Sequence, residues 1–217
     1  MKRLISLIIA IIISIMAMAQ VPYFGKAPGN KKLYGYTSLK VRPGINSIES
    51  YNTFQFGLSD YTAVGLDYYT GPGSAYMGYM LRIGYKASQW FSIGSTLTPS
   101  FDLNDNYKFS YFTGGLFMNG GLTKDARLFW CTNTWFGLNR DKSFSIRQFT
   151  YLGYEFALMN GDAITPMVGL DHSWKFDERI DIATGMYYTH GVWNLYVWGN
   201  DFCKPNPRVV IGVDFKF

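Results

Sequence analysis

The carboxy-terminal ten residues constrain this chain most: Arg208-Val-Val-Ile-Gly-Val-Asp-Phe-Lys-Phe217. Val209, Ile211, Val213, Phe215 and Phe217 fall on one parity. Arg208, Gly212, Asp214 and Lys216 fall on the other, with Val210 alone breaking the pattern. Side chains of a β-strand alternate between faces, so this is a ribbon apolar on one side and charged or glycine on the other.

The amino-terminus adds a compartment. Lys2 and Arg3 form a basic start, and Leu4 to Met16 is apolar except for Ser6 and Ser14. Ala17-Met18-Ala19 is a small-x-small cleavage site. The pattern predicts a secretory signal over 1–19, with a mature chain starting at Gln20. A membrane anchor needs ~20 apolar residues, and this stretch is shorter. Removing it leaves 18 basic and 15 acidic residues, net +3, too mild to point to nucleic acid.

An exported chain that closes on an amphipathic strand with a terminal aromatic resembles bacterial outer-membrane β-barrel proteins of the porin-like, small-transporter type. In that family the last aromatic is read by the barrel-assembly machinery. The resemblance thus implies Phe215 and Phe217 as an assembly signal. It also implies outer-membrane lipid and that machinery as partners, and the outer membrane of a Gram-negative bacterium as the location.

Composition agrees with a barrel. Aromatics reach 18% while charged residues are only 16%, with 17 Tyr, 17 Phe and 6 Trp. Apolar residues are dispersed in alternation, and aromatic girdles at two membrane interfaces would absorb the rings. Two cysteines, Cys131 in a predicted strand and Cys203 in a predicted loop, are too few for a disulfide framework and are expected to be unpaired.

Period-two segments of about ten residues, separated by turn residues, mark the strands of a membrane barrel. Roughly twelve occur, near 32–42, 50–58, 61–69, 75–87, 89–98, 106–118, 126–138, 143–158, 163–174, 179–188, 191–199 and 207–217. The expected fold is an all-β, antiparallel up-and-down transmembrane barrel over 32–217, preceded by a periplasmic coil over 20–31. An even count puts both termini on one side, the periplasm in this family. Turns on that side are predicted short, as at Ser59-Asp60. Those on the other side are longer, as at Pro43 to Ser50, Pro99 to Asn106 and Gly199 to Asn206.

With the aliphatic face outward, the lumen is expected to carry Lys40, Arg42, Arg82, Lys86, Arg127, Arg147, Arg208 and Lys216. Asp67, Glu155, Asp171, Asp181 and Asp214 oppose them. Twelve strands ~4.8 Å apart and tilted ~40° give a backbone diameter of roughly 24 Å. Inward Tyr34, Tyr36, Tyr76, Phe149 and Tyr151 narrow it. The expected function is a narrow passive channel for small polar or anionic solutes, favoured by the basic excess. A closed structural or assembly-associated barrel is the alternative. Gly65, Gly84, Gly94, Gly153, Gly169 and Gly212 also point inward, where they make room for neighbouring aromatics.

No enzymatic site and no cofactor or metal motif is expected. Of two histidines, His190 sits in a turn and His172 faces outward between Asp171 and Ser173. Outer-membrane phospholipase A, a barrel of similar strand number, spaces its pair His-x-Ser on one face. Here consecutive residues put Asp171 and Ser173 on the face opposite His172, and a base pointing away from its nucleophile does no general-base work. A lipid-modifying enzyme is therefore the weakest of the three readings.

Overall fold

The computed structural model describes residues 25–141, 143–173 and 180–217. The expected signal, the start of the coil at 20–24 and Trp174 lie outside them. Among the described residues the chain forms thirteen β-segments, all paired antiparallel to their neighbours. They are β1 (Leu33–Arg42), β2 (Ser47–Gly57), β3 (Thr62–Gly71), β4 (Ser74–Lys86), β5 (Ser92–Asp102), β6 (Lys108–Gly121) and β7 (Leu128–Asn139). Then follow β8 (Phe144–Tyr154), β9 (Phe156–Ala157), β10 (Ala163–Ser173), β11 (Asp181–His190), β12 (Trp193–Asn200) and β13 (Arg208–Lys216).

β9 only prolongs β8. Met167 pairs with Gly153 and Ile164 with Phe156, so the register is the same on both sides of the gap. Pro166 lies in that gap and has no N–H to give, which is why the ladder lapses there. The barrel therefore has twelve staves, the number expected. Pro99 leaves a similar lapse: β4 and β5 pair at Gly78/Ser100 and Leu81/Leu97 but not between.

The ring closes where β1 meets β13, from Tyr34 opposite Lys216 to Val41 opposite Val209. Two connections are tighter than the sequence suggests. Asn46 adopts a left-handed conformation (φ 49) and ends a 3-10 turn at Pro43–Ile45, so β2 starts at Ser47. β5 runs through Pro99 to Asp102, which shortens the expected Pro99–Asn106 loop.

Burial is inverted relative to a water-soluble protein. Thr53, Gln55, Thr96, Thr165 and Asp214 are almost fully enclosed, while Leu39, Leu81, Ile83, Val168, Leu170 and Ile211 stand in the open. A strand apolar outward and polar inward suits a hydrocarbon exterior. Rings gather at both rims. At the end holding the termini, Trp193 meets Phe215 and Phe217 at 5.2 and 5.9 Å, and Tyr61 meets Tyr85 at 5.9 Å. At the far end Phe101 stacks on Tyr107 at 5.2 Å and meets Tyr79 at 5.9 Å.

Inward glycines have two uses. A Cβ on Gly153 or Gly212 would lie 2.4 Å from the ring of Phe129 or Tyr196 respectively, as expected of residues that accommodate aromatics. At Gly84 the obstruction is instead the backbone of Lys26–Ala27, and at Gly94 it is the backbone of Ile83 in the neighbouring strand together with Gly25. The coil before β1 runs across the inside of the barrel at the termini end.

Candidate functional site

The lumen holds a cavity of about 360 Å³ in its far half. Its wall carries Lys40, Asp67, Arg147 and Arg208 among aromatic side chains, including Tyr36, Tyr51, Tyr69, Tyr76, Phe149 and Trp198. The alternation of β1, β3, β8 and β13 puts these residues inward, and the same pattern keeps their neighbours outward.

Each charged group is fixed by a partner on an adjacent stave. Lys40 Nζ lies 3.9 Å from Glu49 and sits over the rings of Tyr51 and Tyr69, at 5.3 and 5.8 Å. Asp67 accepts from Tyr51 Oη at 2.8 Å and Thr53 Oγ1 at 2.6 Å. Arg147 donates from Nε to Asp171 Oδ1 at 2.8 Å and from Nη2 to Asp171 Oδ2. That fork presents a planar guanidinium to a planar carboxylate and locks both in orientation. Asn200 Nδ2 donates to the same carboxylate at 3.2 Å.

The far mouth centres on a residue the alternation does not reveal. Asp201 lies in the β12–β13 loop with φ 60, yet is only 1% exposed. Arg42 Nη2 approaches it at 3.0 Å, Arg147 Nη2 at 3.1 Å, Lys204 Nζ at 3.3 Å and Arg208 Nε at 3.9 Å. Burial pushes the Asp201 carboxyl up, but the charges of Arg208, Arg147 and Lys204 outweigh it and hold the group below its ordinary value. A loop residue has no period-two signature, so only the density of cations nearby could have hinted at it.

Other expected lumen residues sit elsewhere along the barrel. Asp214 accepts from Asn194 Nδ2 at 2.6 Å. Asp181 accepts from the amides of Ile182 and Cys203 at 2.8 and 3.0 Å, so it ties a strand start to the loop. Lys216 is half-buried in the closing strand, and Glu155 is half-buried between β8 and β9. Lys86 is exposed at the end of β4. Arg127 stands apart from the lumen expectation. It precedes β7, is exposed in the turn and lies 3.6 Å from Asp125, because the strand starts two residues later than the pattern suggested. Cys131 is buried in the wall, and Cys203 is exposed in the loop.

The termini end is narrowed by a strap over residues 25–32. Gly25 N donates to Asn119 Oδ1 at 2.8 Å, and Arg82 donates from Nε and Nη2 to Lys26 O at 3.3 and 3.2 Å. Asn30 N donates to Asp60 Oδ1, and Lys31 N to Gly57 O. Burial, with Lys216 and Lys86 nearby, pushes Lys26 down to about 8.

The histidines offer little chemistry together. Asp171 is committed to Arg147 and Asn200, and Ser173 Oγ donates to Ile146 O at 3.5 Å. His190 Nδ1 pairs with Asp162 Oδ1 at 2.8 Å in the β10–β11 region of the termini end, where Tyr188 Oη also donates to Asp162.

No protein-family model and no curated protein sequence matches this chain. Solved structures do match it in fold. A KdgM porin superposes with a TM-score of 0.65 at 14% identity, over 85% of this chain and 99% of that one. A KdgM porin in complex with disordered oligogalacturonate gives 0.60 at 12% identity, over 86% and 99%. A NanC porin gives 0.58 at 12% identity, over 84% and 100%. The chain thus shares the closed twelve-stave fold of these outer-membrane barrels.

Proposed function

Starting from the fold shared with the KdgM and NanC porins, we propose that this chain is a narrow passive channel in the outer membrane of a Gram-negative bacterium, passing small polar and anionic solutes. The observation that carries the reading is the lumen cavity of about 360 Å³ whose wall combines Lys40, Arg147 and Arg208 with flat aromatic faces. Cations in a low-dielectric conduit concentrate anions by focusing the field. Broad ring faces suit the apolar faces of sugars. Weak, repeated contacts of this kind let a solute enter and leave, as conduction requires. The complex of a KdgM porin with oligogalacturonate, a polyanionic sugar, supports the anionic side of the reading.

Here the termini end faces the periplasm and the Asp201 mouth faces outward. Outer-membrane lipid covers the apolar staves, and Phe215 and Phe217 serve the assembly machinery. Conductance of refolded protein in planar bilayers tests the channel. Discrete current steps with anion preference are expected, and the preference falls when Lys40 and Arg208 are exchanged for Glu. Correctly folded protein that carries no current at any voltage removes the reading.

A closed barrel is the second reading, favoured by the strap at Gly25–Lys32. In that case correctly folded protein carries no current.

A further inference from the structure

We infer that Asp201 is a resident carboxylate occupying an anion-binding position at the far mouth, so that an incoming solute carboxylate must displace it. The inference rests on the channel reading and adds a selectivity determinant to it.

Four cations converge on this one side chain. Arg42 comes from β1, Arg147 from β8, Arg208 from β13 and Lys204 from the loop itself. β8 and β13 are separated around the ring by β10, β11 and β12, so the carboxylate braces the mouth across the lumen and not along one ladder. Arg147 and Arg208 also line the cavity just inside. The same guanidinium groups therefore face the solute path and the resident acid.

Wall acids are differently held. Asp171 takes the two-pronged fork of Arg147 and belongs to the β10 ladder, so it cannot leave without opening a strand. Asp201 belongs to no ladder. Its loop is pinned by Arg42 Nη1 donating to Asn206 O at 3.1 Å and by Lys204 N donating to Asp201 O at 3.0 Å. Its left-handed backbone is a conformation a non-glycine residue adopts reluctantly. With Asp171 and Asp201 opposing Arg42, Arg147, Arg208 and Lys204, the cluster keeps a positive surplus. A solute carboxylate offers the same two oxygens to the same donors, so the two anions compete for one position.

The test compares wild type with Asp201→Asn and Asp201→Gly. The glycine variant removes the carboxylate while easing the backbone, which guards against loss of folding. Asp105→Asn, in the separate β5–β6 loop, controls for net charge. Galacturonate is titrated against the emission of the cavity tryptophans, with galactose as the neutral control, and reversal potentials are read under a KCl gradient. Both Asp201 variants should bind galacturonate at least about threefold more tightly and raise the anion-to-cation permeability ratio, with galactose unaffected and Asp105→Asn like wild type. Unchanged affinity and selectivity in both variants overturns the inference, as does an equal change in Asp105→Asn. Wild type that carries no current overturns the channel reading instead, and the galacturonate titration still judges Asp201.

Discussion

Leu33 and Phe217 hydrogen-bond each other twice, amide to carbonyl in both directions, at 3.0 and 2.8 Å. They form the last rung of the β1–β13 seam and close the ring at its termini end. Phe217 also leans its ring against Trp193 and Phe215.

Deleting Phe217 removes two backbone bonds and that ring contact. At ~0.5–1.5 kcal/mol for each bond, the folded barrel should lose about 1–3 kcal/mol. Phe217→Ala keeps the bonds and should cost less. Denaturant titration in phospholipid vesicles, followed by tryptophan emission, separates the two. Equal loss in both variants would show that the rung itself contributes nothing.

Two glycines, Gly169 on the inner face and Gly114 on the outer face of the barrel wall, differ sharply in room. A Cβ on Gly169 would sit 2.0 Å from the backbone oxygen of Thr150, which is fixed in the neighbouring ladder. A Cβ on Gly114 finds its nearest neighbour at 3.8 Å. Gly169→Ala should therefore destabilise the barrel by about 1–3 kcal/mol through overpacking, while Gly114→Ala is near neutral. The same titration checks this pair, and equal midpoints would refute the difference.

Period two made the staves readable because lipid and lumen impose opposite demands on successive side chains. Val209 to Phe217 shows this most clearly, and the inward placement of Lys40, Arg147 and Arg208 follows from it. Three features escaped for physical reasons. Pro99 reads as a loop residue, yet a strand tolerates it where one ladder rung lapses. Arg127 continues an alternating pattern one residue beyond the strand that supports it. Asp201 is aimed inward by loop geometry, which alternation does not encode. The strap is legible only as a coil; its contact with Gly84 and Gly94 needs the closed ring.

On the outer apolar face, Leu81 lies near the middle of β4 and is 43% exposed. Arginine there must leave hydrocarbon or deform it, at about 2–4 kcal/mol if the site is at the midplane. Leu81→Arg should lower the yield of heat-modifiable barrel in vesicles. It should cost much less in detergent micelles, which adapt around the charge. Equal yield in both would argue that this face does not meet lipid.

Acid should loosen the far mouth. The carboxyl of Asp201 is raised by burial but brought below its ordinary value by Arg208, Arg147 and Lys204. A carboxylate lowered by folding contributes stability that is present above its unfolded pKa, ~3.9 for Asp, and is lost as pH falls through the folded value. Hydrogen exchange of the loop over 201–207, corrected for intrinsic rates, should stay slow from pH 7 to about 5 and speed up below about 4. Asp201→Asn should already be fast at pH 7. A loop whose protection ignores pH in wild type would contradict the assignment.

Displacing the strap should open the termini end. A Cβ on Gly84 would lie 2.5 Å from Ala27 N and 2.6 Å from the carbonyl carbon of Lys26. Both obstructions are backbone, so a branched side chain cannot be accommodated by a rotamer change, and the strap has to leave. Ala27 is 6% exposed and serves as the reporter. In an Ala27→Cys, Cys203→Ser, Cys131→Ala background, the new thiol should react slowly with a bulky, membrane-impermeant maleimide. Adding Gly84→Val should speed labelling by about tenfold or more, since each 1.4 kcal/mol shift toward the open state is a factor of ten. On the channel reading, current per molecule rises in the same variant. Rapid labelling without any current would favour the closed barrel, and a thiol that stays protected would show that the strap is not seated against Gly84.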